Sequence, residues 1–229
     1  MINSTVIIYR KKERVKNLMN EKTKDIIEWI VCIVVAIVLA LLIRFYVTTP
    51  TVVNQESMKP TLENGDKLLL NRWMRTTNSK INRGDIITFE APSKKKFENN
   101  EVDISNPVAE YNNNINGAFE KFSYYVLEVT KESYIKRVIG LPGEYVYIDE
   151  NENVYIDGNL LDESYLPNGV KTKTGTFNEL VVPEGYLFVM GDNREYSMDS
   201  RAFGCVPIEK VEGRVLCRIW PFNKFGTID

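Results

Sequence analysis

A chain of 229 residues, 44% of them hydrophobic and with 29 basic against 31 acidic side chains, can bury a core yet carries a net charge of only −2. The two signs are interspersed and nowhere build the clustered lysine and arginine of a nucleic-acid footprint, so nucleic acid is excluded as a partner. Histidine is absent from the whole sequence, which rules out Ser-His-Asp and Cys-His hydrolases and an ordinary His-ligated zinc site.

Residues 1–25 are a basic tail carrying Arg10, Lys11, Lys12, Arg14, Lys16, Lys22 and Lys24. The run WIVCIVVAIVLALLI from Trp29 to Ile43 is wholly apolar, and with its flanks it gives a span over 26–47 that crosses a bilayer at 1.5 Å per residue. A core helix of a soluble protein usually keeps a polar stripe, and this one has none. A cleaved leader needs a small-x-small site, whereas residues 44–49 read RFYVTT. After Val47 the next twenty residues hold only Lys59 and Lys67. This asymmetry predicts a single-pass protein of the cell membrane with a cytoplasmic N-terminus and an extracytoplasmic domain from residue 48 to 229.

That domain reads as mainly β. Short apolar runs (TVV, KLLLNRW, DIITF, YIKRVIGL, YVYID, VYIDG, YLFVM and RVLCRIW) are separated by the turn signals NGD, RGD, LPGE, DGN and PEG. Between them, 91–130 is an insertion whose polar, Asn-rich first part predicts a surface excursion. Of the three cysteines, Cys32 lies in the apolar span, and Cys205 and Cys217 are expected to be free and buried.

Ser57, in QESMKPTL, follows the span by ten positions. Without histidine its base has to be a lysine, a carboxylate or a terminus. An ordinary lysine, with a pKa near ~10.4, is neutral in only about one molecule in a thousand near pH 7.5, but burial disfavours the charged form. Lys136 is the best placed: in YIKRVIGL, alternation puts Tyr134, Lys136 and Val138 on one face of a strand apolar enough to be buried. Composition alone favours Ser57 as a turn residue ahead of Pro60 and Lys136 as a surface lysine whose stem covers apolar neighbours, so neither residue by itself makes an enzyme.

SMKPTL at 57–62, YIKRVIGLPGE at 134–144 and GDNREYSMDSRAFG at 191–204 resemble, in order and behind an anchor, the signature boxes of type I signal peptidases of the Gram-positive type. The resemblance implies an antiparallel-sheet catalytic domain with a small β subdomain, here short at about 146–182. It implies a serine endopeptidase, without a cofactor, that cuts signal peptides from preproteins leaving an export channel, after small residues and through an acyl-enzyme. It makes Ser57 the nucleophile, Lys136 the general base and Ser197 the residue that orients the lysine. Met58 becomes the residue packed beside the nucleophile, and Arg137 with Asp192 and Asp199 with Arg201 become supporting ion pairs. Two features depart from the pattern: Gln55 stands where relatives place a serine or glycine serving the oxyanion, and the insertion is long. A specialised or non-catalytic factor for dedicated surface proteins such as pilins is the alternative. A self-cleaving repressor with the same chemistry would need a DNA-binding module that the sequence lacks.

Overall fold

The computed structural model describes residues 4–77, 79–93, 105–111, 115–128 and 131–228, and they divide into two units at Arg44/Phe45. The first unit holds the helix α1, Ser4–Tyr46, up to Arg44, and this helix continues N-terminal to the apolar run. Its stretch Asn20–Tyr46 is long and apolar enough to span a membrane, and none of that window is buried by protein.

The second unit is built on a seven-stranded sheet. Its strands are β1 (Thr48–Val52), β2 (Lys67–Asn71), β3 (Ile86–Glu90), β4 (Ser133–Gly140), β9 (Tyr186–Met190), β10 (Val206–Pro207) and β11 (Val211–Trp220), in the order β1-β2-β11-β3-β4-β9-β10. All of the pairings are antiparallel. A second sheet takes β5 (Tyr145–Ile148), β6 (Val154–Ile156), β7 (Asn159–Leu160) and β8 (Glu179–Val181) in the order β7-β6-β5-β8. The RGD turn forms where it was expected, directly ahead of β3: Gly84 adopts φ +90°, closed to most side chains, and its N–H donates to Val138 O at 2.9 Å.

The strand carrying Lys136 lies between β3 and β9, which pair with its two edges, and every residue from Tyr134 to Gly140 is buried, so both of its faces meet protein. Tyr134 and Val138 join Phe89, Leu187 and Phe203 in one apolar cluster, Ile135 joins Met58, Leu62 and Leu68 in another, and Ile139 packs with Val146 and Phe188 towards the small sheet. Cys205 and Cys217 are both free; Cys205 is buried as expected, whereas Cys217, on the late part of β11, is only half-buried.

The insertion is not all surface. Ala109 is buried in the cluster around Phe89 and Tyr134, its N–H donates to Cys205 O at 2.8 Å, and Cys205 N–H donates to Pro107 O at 2.7 Å. The polar expectation fails here because one apolar pair, Val108 and Ala109, is enough to dock a segment on a strand end that has free backbone groups. The run of lysines at 94–96 lies outside the described residues. Where the insertion returns to β4, Lys131 Nζ sits 2.7 Å from Glu212 and 3.8 Å from Glu90, and Lys210 reaches Glu90 at 3.2 Å. Both carboxylates are buried, so each depends on its lysines. Lys131→Met is expected to lower unfolding stability by about 3–5 kcal/mol, the usual cost of stranding a buried charge. Urea titration of the full chain in detergent measures it, and an unchanged midpoint contradicts a desolvated cluster.

Candidate active site

Three segments converge on Ser57. The loop after β1 carries Gln55, Ser57 and Met58, β4 carries Lys136 and Arg137, and the loop after β9 carries Asp192 to Asp199. Met58 is fully buried among Val53, Leu62, Leu68 and Ile135, which fixes the backbone beside Ser57. The third loop clamps the first from the other side: Asn193 N–H donates to Ser57 O at 3.0 Å, Asn193 Nδ2 donates to Glu56 O at 3.1 Å, and Thr61 Oγ1 donates to Asp192 at 2.5 Å.

Lys136 is 1% exposed and its Nζ lies 2.7 Å from Ser57 Oγ and 3.0 Å from Ile135 O, with the Tyr134 ring centroid at 5.2 Å. Burial lowers its pKa to about 8, against the opposing attraction of Asp199 and Asp192. A neutral amine donating to Ile135 O can turn its lone pair towards the serine hydroxyl, which is the geometry a general base requires.

The two aspartates would restore the lysine's charge if their own charges were unopposed. Each is held by an arginine: Arg137 Nε and Nη2 donate to Asp192 at 3.0 and 2.8 Å, and Arg201 Nε and Nη2 donate to Asp199 at 2.8 Å each. Burial acts to raise the Asp199 pKa, but the Arg201 bonds prevail and hold it below the usual carboxylate value. Arg137 also stacks on Tyr165, with its guanidinium carbon 3.9 Å from the ring centroid, which joins the site to the segment between the small sheet's strands.

Ser197 lies beside the dyad but makes no hydrogen bond to Lys136. Its Oγ is buried, near enough to Asp199 to lower that carboxylate's pKa without meeting hydrogen-bond geometry. Gly191, which sequence reading passed over, explains how closely these parts approach: a Cβ there would stand 2.2 Å from Ser197 Oγ and 2.3 Å from Ser57 O. The signal was present as the first residue of the GDNR box, but its meaning depends on two loops meeting in space.

Two hollows adjoin the dyad. One of about 300 Å³ is lined by Gln55, Ser57, Tyr134, Lys136, Tyr196 and Met198. The other, of about 340 Å³, lies between residues 51–55 and 131–135 and shares Gln55 and Tyr134 with the first. β9 pairs with β4 only from Arg137 onward, so the second hollow runs beside the start of β4, before that ladder begins. Among the described residues no group of three or more acidic, cysteine or histidine side chains could hold a metal ion.

A family model described as "Signal peptidase, peptidase S26" matches residues 26–220. Signal peptidase IB of Staphylococcus aureus (strain COL) is 32% identical over 217 residues, covering 88% of this chain and 93% of its own length. Signal peptidase I of Bacillus licheniformis is 33% identical over 217 residues, covering 91% and 96%. A crystal structure of a signal peptidase I from Enterococcus faecalis V583 is 29% identical over 59% of this chain and 97% of its own, with a TM-score of 0.37.

The buried lysine has a cost in stability. Its folded pKa of about 8 lies below the unfolded value, so the unfolded chain binds more protons between about pH 8 and 10.5 and wild-type stability rises with pH across that window. Lys136→Met is therefore expected to stabilise the fold by about 3 kcal/mol below pH 8 and by progressively less above it. Denaturant titrations of both proteins at pH 7 and pH 10 measure the difference, and an equal or negative difference at pH 7 contradicts a desolvated lysine.

Proposed function

The chain belongs to the signal peptidase family, peptidase S26, as a serine endopeptidase that cleaves signal peptides, and on that premise we propose that Ser57 and Lys136 form its catalytic dyad. The observation that carries this reading is the 2.7 Å contact between Ser57 Oγ and a lysine amine that burial keeps largely free of solvent.

In this mechanism neutral Lys136 takes the Ser57 proton as Oγ attacks the scissile carbonyl. The oxyanion forms at the Ser57 N–H, with the Gln55 amide as second donor. Lys136 then protonates the leaving amine of the mature chain, which leaves the signal peptide as an ester on Ser57. Water, deprotonated by the same amine, hydrolyses the ester. Ser197 turns its unengaged hydroxyl to Lys136 and holds the neutral amine in line. The two arginine–aspartate pairs restrain the carboxylates that would otherwise keep the lysine charged.

The substrate lies extended between residues 51–55 and 133–135, adding a strand to exposed backbone. Tyr134, Tyr196 and Met198 crowd the hollow beside Ser57, which favours small side chains next to the cut. The span at Asn20–Tyr46 anchors the enzyme in the cell membrane, and the basic tail keeps the N-terminus cytoplasmic. A nucleophile ten residues beyond Val47 then meets preproteins where they leave the bilayer, next to an export channel or a dedicated secretion system.

Cleavage of a small-x-small signal-peptide substrate by the full chain in lipid is expected to fall by roughly 10³-fold or more in both Ser57→Ala and Lys136→Ala, with the cut after the small residue located by mass spectrometry. Near-normal turnover by Lys136→Ala would mean that another base operates. Gln55→Ala is expected to lower kcat by about 10²-fold; an unchanged kcat would leave the oxyanion to the backbone N–H alone.

A further inference from the structure

The described part of the insertion ends in an element the catalytic chemistry does not use. A short helix, Ala118–Phe122, runs into a wider turn, Ser123–Leu127, and neither contains a buried residue. Its exposed large side chains are Phe119, Phe122 and Tyr125; Phe119 and Phe122 are neighbours three positions apart on the helix, and Phe119 is 81% exposed. A monomeric domain rarely leaves a row of aromatics in water without a use for it.

This row is tied to the place where the chain leaves its apolar span. Glu128, directly after the turn, pairs with Arg72 at 2.8 Å, and both side chains are largely buried. Arg72 N–H in turn donates at 3.0 Å to the carbonyl of Val47, the first residue beyond α1. Arg75 stands 5.3 Å over the Phe45 ring. Around this junction Tyr46, Val47 and Trp73 are also exposed, Trp73 by 54%. Two polar links thus connect the end of a membrane-length helix to the end of the aromatic row, and ten residues of helix extend only about 15 Å.

From these observations we propose that the 118–127 segment of the insertion is an interfacial element that lies on the lipid surface beside the anchor, with Phe119, Phe122 and Tyr125 in the headgroup region. Aromatic side chains suit that zone, which takes an apolar ring beside a wet polar edge. Glu120 and Lys121 on the same helix offset each other, so the contact is apolar in character and does not require anionic lipid. The bilayer is preferred to a protein partner because the segment is tied, through Glu128 and Arg72, to the residue that directly follows the membrane-length helix.

The position has a consequence for the proposed cleavage reaction. The insertion rejoins the fold at Lys131 to Ser133, which form one wall of the groove beside Gln55. A second contact with lipid, besides the single helix, holds that groove at a fixed height over the bilayer instead of letting it swing on a tether.

The test is photo-crosslinking of the full chain in nanodiscs of phosphatidylcholine and phosphatidylglycerol, with p-benzoylphenylalanine replacing Phe119 or Phe122. The same group at Asn151, an exposed turn position of the small sheet, is the control. The Ser57→Ala background is used throughout, so the outcome does not depend on the assignment of the dyad. Lipid adducts several-fold more abundant at 119 and 122 than at 151, seen by mass spectrometry, are the expected result. Adducts to a second copy of the chain, or lipid adducts no more abundant than at 151, would overturn the proposal.

Discussion

A primary amine held away from water, 2.7 Å from a serine hydroxyl, is the constraint from which most of the remaining architecture follows. A solvated lysine stays protonated and cannot accept a proton, so under the proposed mechanism the amine has to be placed where charge is disfavoured. That requires a strand with protein on both faces, and β4 is such a strand because apolar clusters cover it on either side while β3 and β9 pair with its two edges. The protein gives up stability at this position to hold a group that the fold alone would replace with an apolar side chain.

The same requirement accounts for the two ion pairs. Asp192 and Asp199 serve the fold, since Asp192 accepts from Thr61 and Asp199 accepts from Gly191 N–H and caps the short helix Ser200–Phe203. Left unopposed, both charges would hold a proton on Lys136. Arg137 and Arg201 let the loop keep its aspartates while limiting their pull on the amine. Positive charge near the lysine and an apolar wall around it act in the same direction, towards the neutral base.

Much of this was legible in the sequence, because the carriers are local. The eight apolar runs each supplied a strand, and Lys136 sits on the strand and face that alternation gave it. Three strands were missed: β7 and β10 have two residues each and β8 has three, too short for a pattern, and they exist because neighbouring strands offered edges. The bond from Asn193 to Ser57 and the wedge at Gly191 were not legible either, since both are properties of two distant loops brought into contact. Ala109 shows the opposite failure, in which a polar context concealed a buried residue. Cys217 was expected to be buried with Cys205, but on the late part of β11 it is only partly covered.

Whether Lys136 can act as a base at near-neutral pH is read most directly from its titration by nuclear magnetic resonance. The full chain carrying ε-13C-lysine is followed in detergent micelles, with Lys136→Met identifying the signal. Burial of the amine predicts one lysine titrating near pH 8, well apart from the rest. A Lys136 signal that titrates together with the surface lysines, near ~10.4, would contradict it.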